Sequence, residues 1–460
     1  MKMHQSIRKG EISPLDLVNE ALKQIAEKNP DHHAFITVAE KEAIESAKLL
    51  EQELLNGMVR GPLHGIPIAI KDLIYTKGIK TTMGSKIYEH FLPSIDATVI
   101  EKLKQAGAII IGKTNTHEFA YGPTGDRSHY GACRNPYNLD KMSGGSSSGS
   151  AVAVAANMVL ASIGTDTGGS IRIPASACGV VGMKPTFGQV SKEGSFPLAY
   201  TLDHLGPITN NIKDNALLLN IIAGYDPEDP YSLNPNELTD YTGLIGEDVK
   251  DLTIGIVTND FFTEVDEEIK TTLDTGIEIL KQLQTNMKEV TVPGIEEIAD
   301  AQAITIKSEA SAVHGPSLEK YEGEIDEEVF ERLVASQEVK GYEYVQAQTK
   351  REKLIANLNQ IFDEVDVLLV PTLPILPPDI DQREVTINNT TVTTQHALLK
   401  LTAPFNYTGN PALSIPCGMS KSGLPIGLQL IGRHHDEERL YQLGDALEAE
   451  LKKGHTEKSL

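Results

Sequence analysis

The spacing of apolar positions changes several times along the chain. In ISPLDLVNEALKQIAEKN the apolar residues fall at helical intervals. Ser13 stands as an N-cap, Pro14 suits the first turn and Asp16 completes a capping box, so a helix is predicted there, followed by a second at about 38–55. The pattern then becomes two short continuous apolar runs, GIPIAIKD (65–72) and AIIIGKTN (108–115), bounded by Gly and Asn. The helical pattern TVIEKLKQAG lies between them. Branched apolar residues without alternation predict strands buried on both faces, so this stretch reads as strand, helix, strand. AVAVAANMVLA after Ser150 predicts a helix of small residues that packs closely. Further strands are predicted at LTIGIV (252–257), at DVLLVP (366–371), and in the pair ALSIPC and PIGLQLIG around a turn at Lys421–Gly423. Helices are predicted at about 265–288 and 326–360. No repeat, low-complexity tract or flexible linker divides the 460 residues.

Charge sharpens this division. The net charge is −23; residues 221–340 carry −20 of it, whereas residues 61–210 sum to +3. An acidic, helical middle region of this kind is a solvated surface, and it repels phosphate backbones, which disfavours direct nucleic-acid binding. The absence of Trp and the 5% aromatic content point the same way. No stretch reaches the roughly 20 apolar residues of a membrane span, and MKMHQSIRKGEISP has no apolar signal core, so a cytoplasmic location is expected. Cys133, Cys178 and Cys417 are odd in number and far apart, and read as buried free thiols.

Two short motifs fail on physical grounds. GAIIIGKT (107–114) matches a phosphate-binding P-loop string, but Ala108–Ile111 are stiff, sheet-favouring residues of a strand and cannot wrap their N–H groups around a phosphate. GSSSG (145–149) matches the nucleophile elbow of a Ser-His-Asp esterase with Ser147 as nucleophile. That elbow must follow a strand directly, and NPYNLDKMSG is a polar, turn-rich approach. His204, His314, His396, His434 and His435 lie downstream, which proves little in a chain this long.

A third constellation has more behind it. Lys71 sits where an apolar strand runs out, beside Asp72. Alone, it reads as a lysine snorkelling to the surface. A neutral lysine is also a general base when burial lowers its pKa and a hydroxyl lies within reach. The glycines at 144, 145 and 149 permit a tight backbone that turns serine hydroxyls inward. In GTDTGGS, successive N–H groups can converge on one point, with Gly168 and Gly169 leaving room for a carbonyl.

Taken together, GPLHGIPIAIKDLI, IIIGKTNTHEFAYG, GGSSSGSAVAVAA, GTDTGGSIRIPASACGVVGMKPT and LDHLGPIT closely resemble the amidase signature family over about 61–209. The resemblance resumes more weakly at VDVLLVPTLP and NPALSIPCGMSKSGLPIGLQLIGRHHDEERL. It implies an α/β fold, a mixed twisted β-sheet flanked by helices on both faces. It also implies a single amidase domain over 1–460: an N-terminal helical segment (1–60) packed outside the core, a signature core (61–210), an acidic middle (221–350) and C-terminal strands (360–435) completing the sheet. The implied chemistry is hydrolysis of a carboxylic amide through a Ser-Ser-Lys triad. In it Ser170 is the nucleophile, Ser146 the relay after a cis Gly145–Ser146 bond, and Lys71 the base. Thr167, Gly168, Gly169 and Ser170 would form the oxyanion hole, supported by Ser147, Asp166 and Arg172. Ser148 departs from the family, many members of which carry Gly there.

No cofactor or metal is expected, since HEFAY (117–121) lacks the second histidine of a zinc helix. The expected partner is a small-molecule amide. A homodimer is left open, and no obligate partner subunit is expected. The family also holds the A subunit of glutamine-dependent aminoacyl-tRNA amidotransferases. ASAVHGPSLEKYEGEI carries no arginine to pair a glutamine carboxylate, which favours a freestanding amidase. A non-catalytic scaffold is the remaining alternative. The segments near Pro371 and Asn406 are expected to shape the substrate pocket.

Overall fold

The computed structural model describes residues 2–234 and 239–457. Its centre is an eleven-stranded sheet. In chain order the strands are β1 (Phe35–Val38), β2 (Pro67–Lys71), β3 (Ile109–Thr114), β4 (Ala161–Asp166), β5 (Val181–Lys184), β6 (His204–Thr209), β7 (Thr253–Val257), β8 (Asn286–Val290), β9 (Val367–Pro371), β10 (Ala412–Met419) and β11 (Pro425–Ile431). Across the sheet they run β1-β3-β2-β4-β6-β5-β10-β11-β9-β7-β8. β2 is parallel to both β3 and β4, whereas β4–β6 and β10–β11 pair antiparallel, so the sheet is mixed.

The continuous apolar runs serve both faces, because successive side chains point to opposite sides. Ile68 and Ile70 of β2 join Val99, Ile100 and Leu103 of the crossover helix Thr98–Gln105 on one face. Ala69, with Ile109 and Ile111 of β3, packs on the other face against Ala151, Val152, Ala153 and Val154 of helix Ser148–Ala155. The small side chains let that helix come close: a Cβ at Gly149 would collide with the backbone at Ala34 and Asn115.

The helix Pro14–His32 carries the expected capping box between Ser13 and Asp16. The segment before residue 60 is not wholly outside the core, since β1 pairs antiparallel with β3 at the sheet edge. The helix expected at 265–288 stops at Gln282, and Asn286–Val290 instead adds the edge strand β8, parallel to β7. Its side chains are mostly exposed, which hides the strand pattern. The helix expected at 326–360 is two, Glu327–Ser336 and Gly341–Phe362. All three cysteines are buried free thiols. Among the described residues, no helix is long and apolar enough to cross a membrane.

Candidate active site

Three elements meet at the ends of β2 and β4. Lys71 is the last residue of β2, and the parallel pairing of Ile70 with Ile163 sets its side chain beside the end of β4. Its Nζ donates to Ser146 Oγ and to Thr165 Oγ1, each at 2.7 Å. Lys71 is fully buried, and burial pushes its pKa well below the ordinary lysine value against the opposing pull of Asp166 and Asp203. It forms no ion pair among the described residues.

The Gly145–Ser146 peptide bond is cis. The next residue, Ser147, locks the serine turn onto the sheet: its N–H donates to the Ser170 carbonyl at 3.2 Å and its Oγ to the Thr165 carbonyl at 3.0 Å. The Ser147 hydroxyl is therefore engaged with backbone, not with a histidine as an esterase elbow requires. Ser148 is accommodated by a bond from its Oγ to the Asn115 carbonyl at 3.3 Å.

The loop after β4 is organised by Asp166. Its carboxylate accepts from the N–H groups of Gly169 (2.7 Å) and Ile171 (3.1 Å) and from the Arg172 guanidinium at both oxygens (3.1 Å each). Burial opposes this ionised state, but the Arg172 charge and the hydrogen bonds outweigh it and hold the carboxyl well below its usual range. Gly169 N–H is thus committed within the loop. The N–H groups of Thr167, Gly168 and Ser170 are not among those bonded to this carboxylate. Gly169 has φ 137°, and a Cβ there would collide with Thr402.

Arg172 also ties the loop to the C-terminal part of the chain. It donates to the Thr402 carbonyl (2.9 Å), to Gln429 Oε1 on β11 (3.1 Å) and to Asn406 Oδ1 (2.6 Å), and Asn406 Nδ2 returns to Asp166 Oδ1 at 2.7 Å. Asn406 therefore lies beneath the loop as a brace, while Ala403 and Pro404 line the cavity above it. On the far side, Thr167 Oγ1 donates to Asp203 at 2.6 Å.

Ser170 is 5% exposed and opens into a cavity of about 240 Å³ that Thr167 and Gly168 also line. Sequence reasoning misses three of the residues that shape this region. Thr165 shares Lys71 with Ser146. Gln302, from helix Ile298–His314, and Arg332, from helix Glu327–Ser336, both line the cavity. The arginine-free segment ASAVHGPSLEKYEGEI ends at Ile325, just before the helix Glu327–Ser336 that carries Arg332. The P-loop reading does not survive: Ile109–Thr114 is strand throughout, and Lys113 is buried, with Nζ donating to the Ile74 carbonyl and, at 2.7 Å, to Thr81 Oγ1.

Comparison with known proteins agrees with this architecture. The family model Amidase matches residues 16–441. The A subunit of the glutamyl-tRNA(Gln) amidotransferase of Geobacillus thermodenitrificans is 39% identical over 471 residues, covering 97% of this chain and 96% of that protein. Its counterpart from Gloeothece citriformis is 38% identical over 474 residues, covering 97% and 96%. Among solved structures, an amidase superposes with a TM-score of 0.88 at 35% identity, covering 98% of this chain and 99% of that one. A protein from a vestigial complex linked to the origins of an s-triazine catabolic enzyme gives a TM-score of 0.94 at 31% identity, covering 97% of each chain. The chain belongs to the amidase signature family, hydrolases that act on amide bonds.

Proposed function

We propose that the chain hydrolyses a carboxylic amide through an acyl-enzyme on Ser170, with Ser146 as proton relay and Lys71 as base. The observation that carries the reading is the buried Lys71 amine, held by two hydroxyls and no carboxylate. Burial disfavours the charged form there, which favours a neutral amine able to accept a proton. Lys71 takes the proton of Ser146, Ser146 takes that of Ser170, and the Ser170 oxygen bonds to the amide carbon. The carbonyl electron pair moves onto oxygen, where N–H groups of the Thr167–Ser170 loop stabilise it; removing one such donor typically costs about 10²–10³ in rate. As the C–N bond breaks, Ser146 returns a proton to the departing amine. Water then attacks the ester by the same relay and releases the carboxylate. Asp166, Arg172 and Ser147 act by fixing the loop.

A second reading is the glutaminase component of a tRNA-dependent amidotransferase. Two observations favour it: relatives 38–39% identical carry that enzyme's name, and Arg332 lines the Ser170 cavity, where it could pair a glutamine carboxylate. A hydrolysis screen over aliphatic and aryl amides and glutamine separates the two. The amidase reading predicts turnover by the isolated chain that Ser170→Ala abolishes. Turnover of glutamine alone, and only with a partner protein present, would establish the second reading in its place.

A further inference from the structure

We propose that the substrate amide carries a carboxylate and no ammonium group, the carboxylate being held by Lys307 and Arg332 in the Ser170 cavity. The inference rests on the amide-hydrolase reading of that cavity and names its substrate class. Three formally charged side chains line the cavity, and all are cations: Lys307, Arg332 and Lys400. No Asp or Glu among the described residues lines it. This runs against the surrounding sequence, because residues 221–340, which supply two of the three, carry −20.

The three cations are not equally available. Lys400 pairs with Glu264 at 3.3 Å. Arg332 donates to Glu328 at 2.7 Å and to the Tyr121 carbonyl, which holds its guanidinium in place. Lys307 takes part in no ion pair or hydrogen bond among the described residues. A half-enclosed cavity with uncompensated positive charge concentrates anions and repels cations. A carboxylate leaving water for such a site keeps its energy only if cations and donors meet it there.

A second, independent observation points to a ligand. Gln302 is 4% exposed and lines the cavity, yet its Nε2 is buried with no hydrogen-bond partner. It lies beside the oxyanion loop, 3.2 Å from where a Cβ on Gly168 would stand. A buried amide donor left unmade is unfavourable, and an acceptor oxygen on a bound substrate satisfies it. The same chemistry disfavours a free α-amino group. An ammonium would face the unpaired Lys307, and no Asp or Glu among the described residues lines the cavity to receive it. The class indicated is therefore a monoamide of a dicarboxylic acid or an amide of similar charge.

Three five-carbon amides isolate the charge: glutaramate (carboxylate only), pentanamide (neutral) and L-glutamine (carboxylate and ammonium). Their dissociation constants are measured by calorimetry on full-length Ser170→Ala protein, where no turnover intervenes. Glutaramate is expected to bind at least 10-fold tighter than either of the others. Adding Lys307→Met should shrink the glutaramate preference over pentanamide several-fold, and Lys307→Arg should keep it. Equal binding of glutaramate and pentanamide, tighter binding of L-glutamine, or no binding of any of the three overturns the proposal. Hydrolysis of any amide by wild type and its loss in Ser170→Ala reports separately on the amide-hydrolase reading.

Discussion

The amine of Lys71 is shared between Ser146 Oγ and Thr165 Oγ1 at equal distances of 2.7 Å. Only one of these hydroxyls belongs to the proposed relay; the other aims the amine. Thr165→Val removes that aim without touching the relay, so a modest effect is expected, on the order of 3- to 10-fold in kcat, the worth of one hydrogen bond. Thr165→Ser should recover most of it. Steady-state kinetics on both variants check this, and an unchanged kcat in Thr165→Val would remove Thr165 from a positioning role.

In the proposed mechanism Lys71 also sets a pH requirement. Burial lowers its pKa, so the neutral base is present above the shifted value and disappears as pH falls through it. Activity is therefore expected to fall on the acid side with a single-proton slope. Lys71→Ala should lose about 10²–10⁴ in kcat and lose that acid limb as well. A pH–rate profile of wild type and variant gives both readouts.

Asp166 and Arg172 form a buried pair, each fully enclosed. Although burial alone would raise the Asp166 pKa, the guanidinium and hydrogen bonds depress it below its unfolded value. A depressed carboxyl contributes stability that is present above the unfolded value and lost as pH falls through the folded one. Asp166→Asn leaves the Arg172 charge buried and uncompensated, a loss of about 3–5 kcal/mol at neutral pH that narrows as the solution becomes strongly acidic. Denaturant unfolding across that range measures it.

Glu118 behaves in the opposite sense. Burial pushes its carboxyl up to about 7, while one oxygen accepts the Asp326 N–H at 2.8 Å. The native state thus keeps a proton that the unfolded chain releases above the ordinary value of 4.5, and stability declines as pH rises from there to about 7. Glu118→Gln keeps an acceptor for Asp326 without that cost. It should match wild type near pH ~4 and exceed it by up to about 3 kcal/mol near pH ~8. A stability difference that does not change with pH would contradict this.

Much of this site is legible because its parts sit at the ends of local patterns. Lys71 terminates a doubly buried strand, and Ser146 and Ser170 lie in glycine-rich turns, so each announces itself within a few residues. Thr165 does not: it looks like one more residue of the run ASIGTD, and its meeting with Lys71 depends on the pairing of β2 with β4. Arg332 and Gln302 reach the cavity from helices far along the chain, and helix docking leaves no short-range signature. The edge strand β8 passes for helix because an edge strand with most side chains in water need not alternate. The break between Ser336 and Gly341 is equally hidden, since apolar positions on both sides keep helical spacing.

The proposed proton path from Ser170 through Ser146 to Lys71 is tested most directly by reaction with a fluorophosphonate, followed by digestion and mass mapping of the adduct. Wild type is expected to carry a single adduct on Ser170, formed about 10²-fold or more slowly in Lys71→Ala and in Ser146→Ala. An adduct on another serine, or labelling of Ser170 at an undiminished rate in Lys71→Ala, would contradict it.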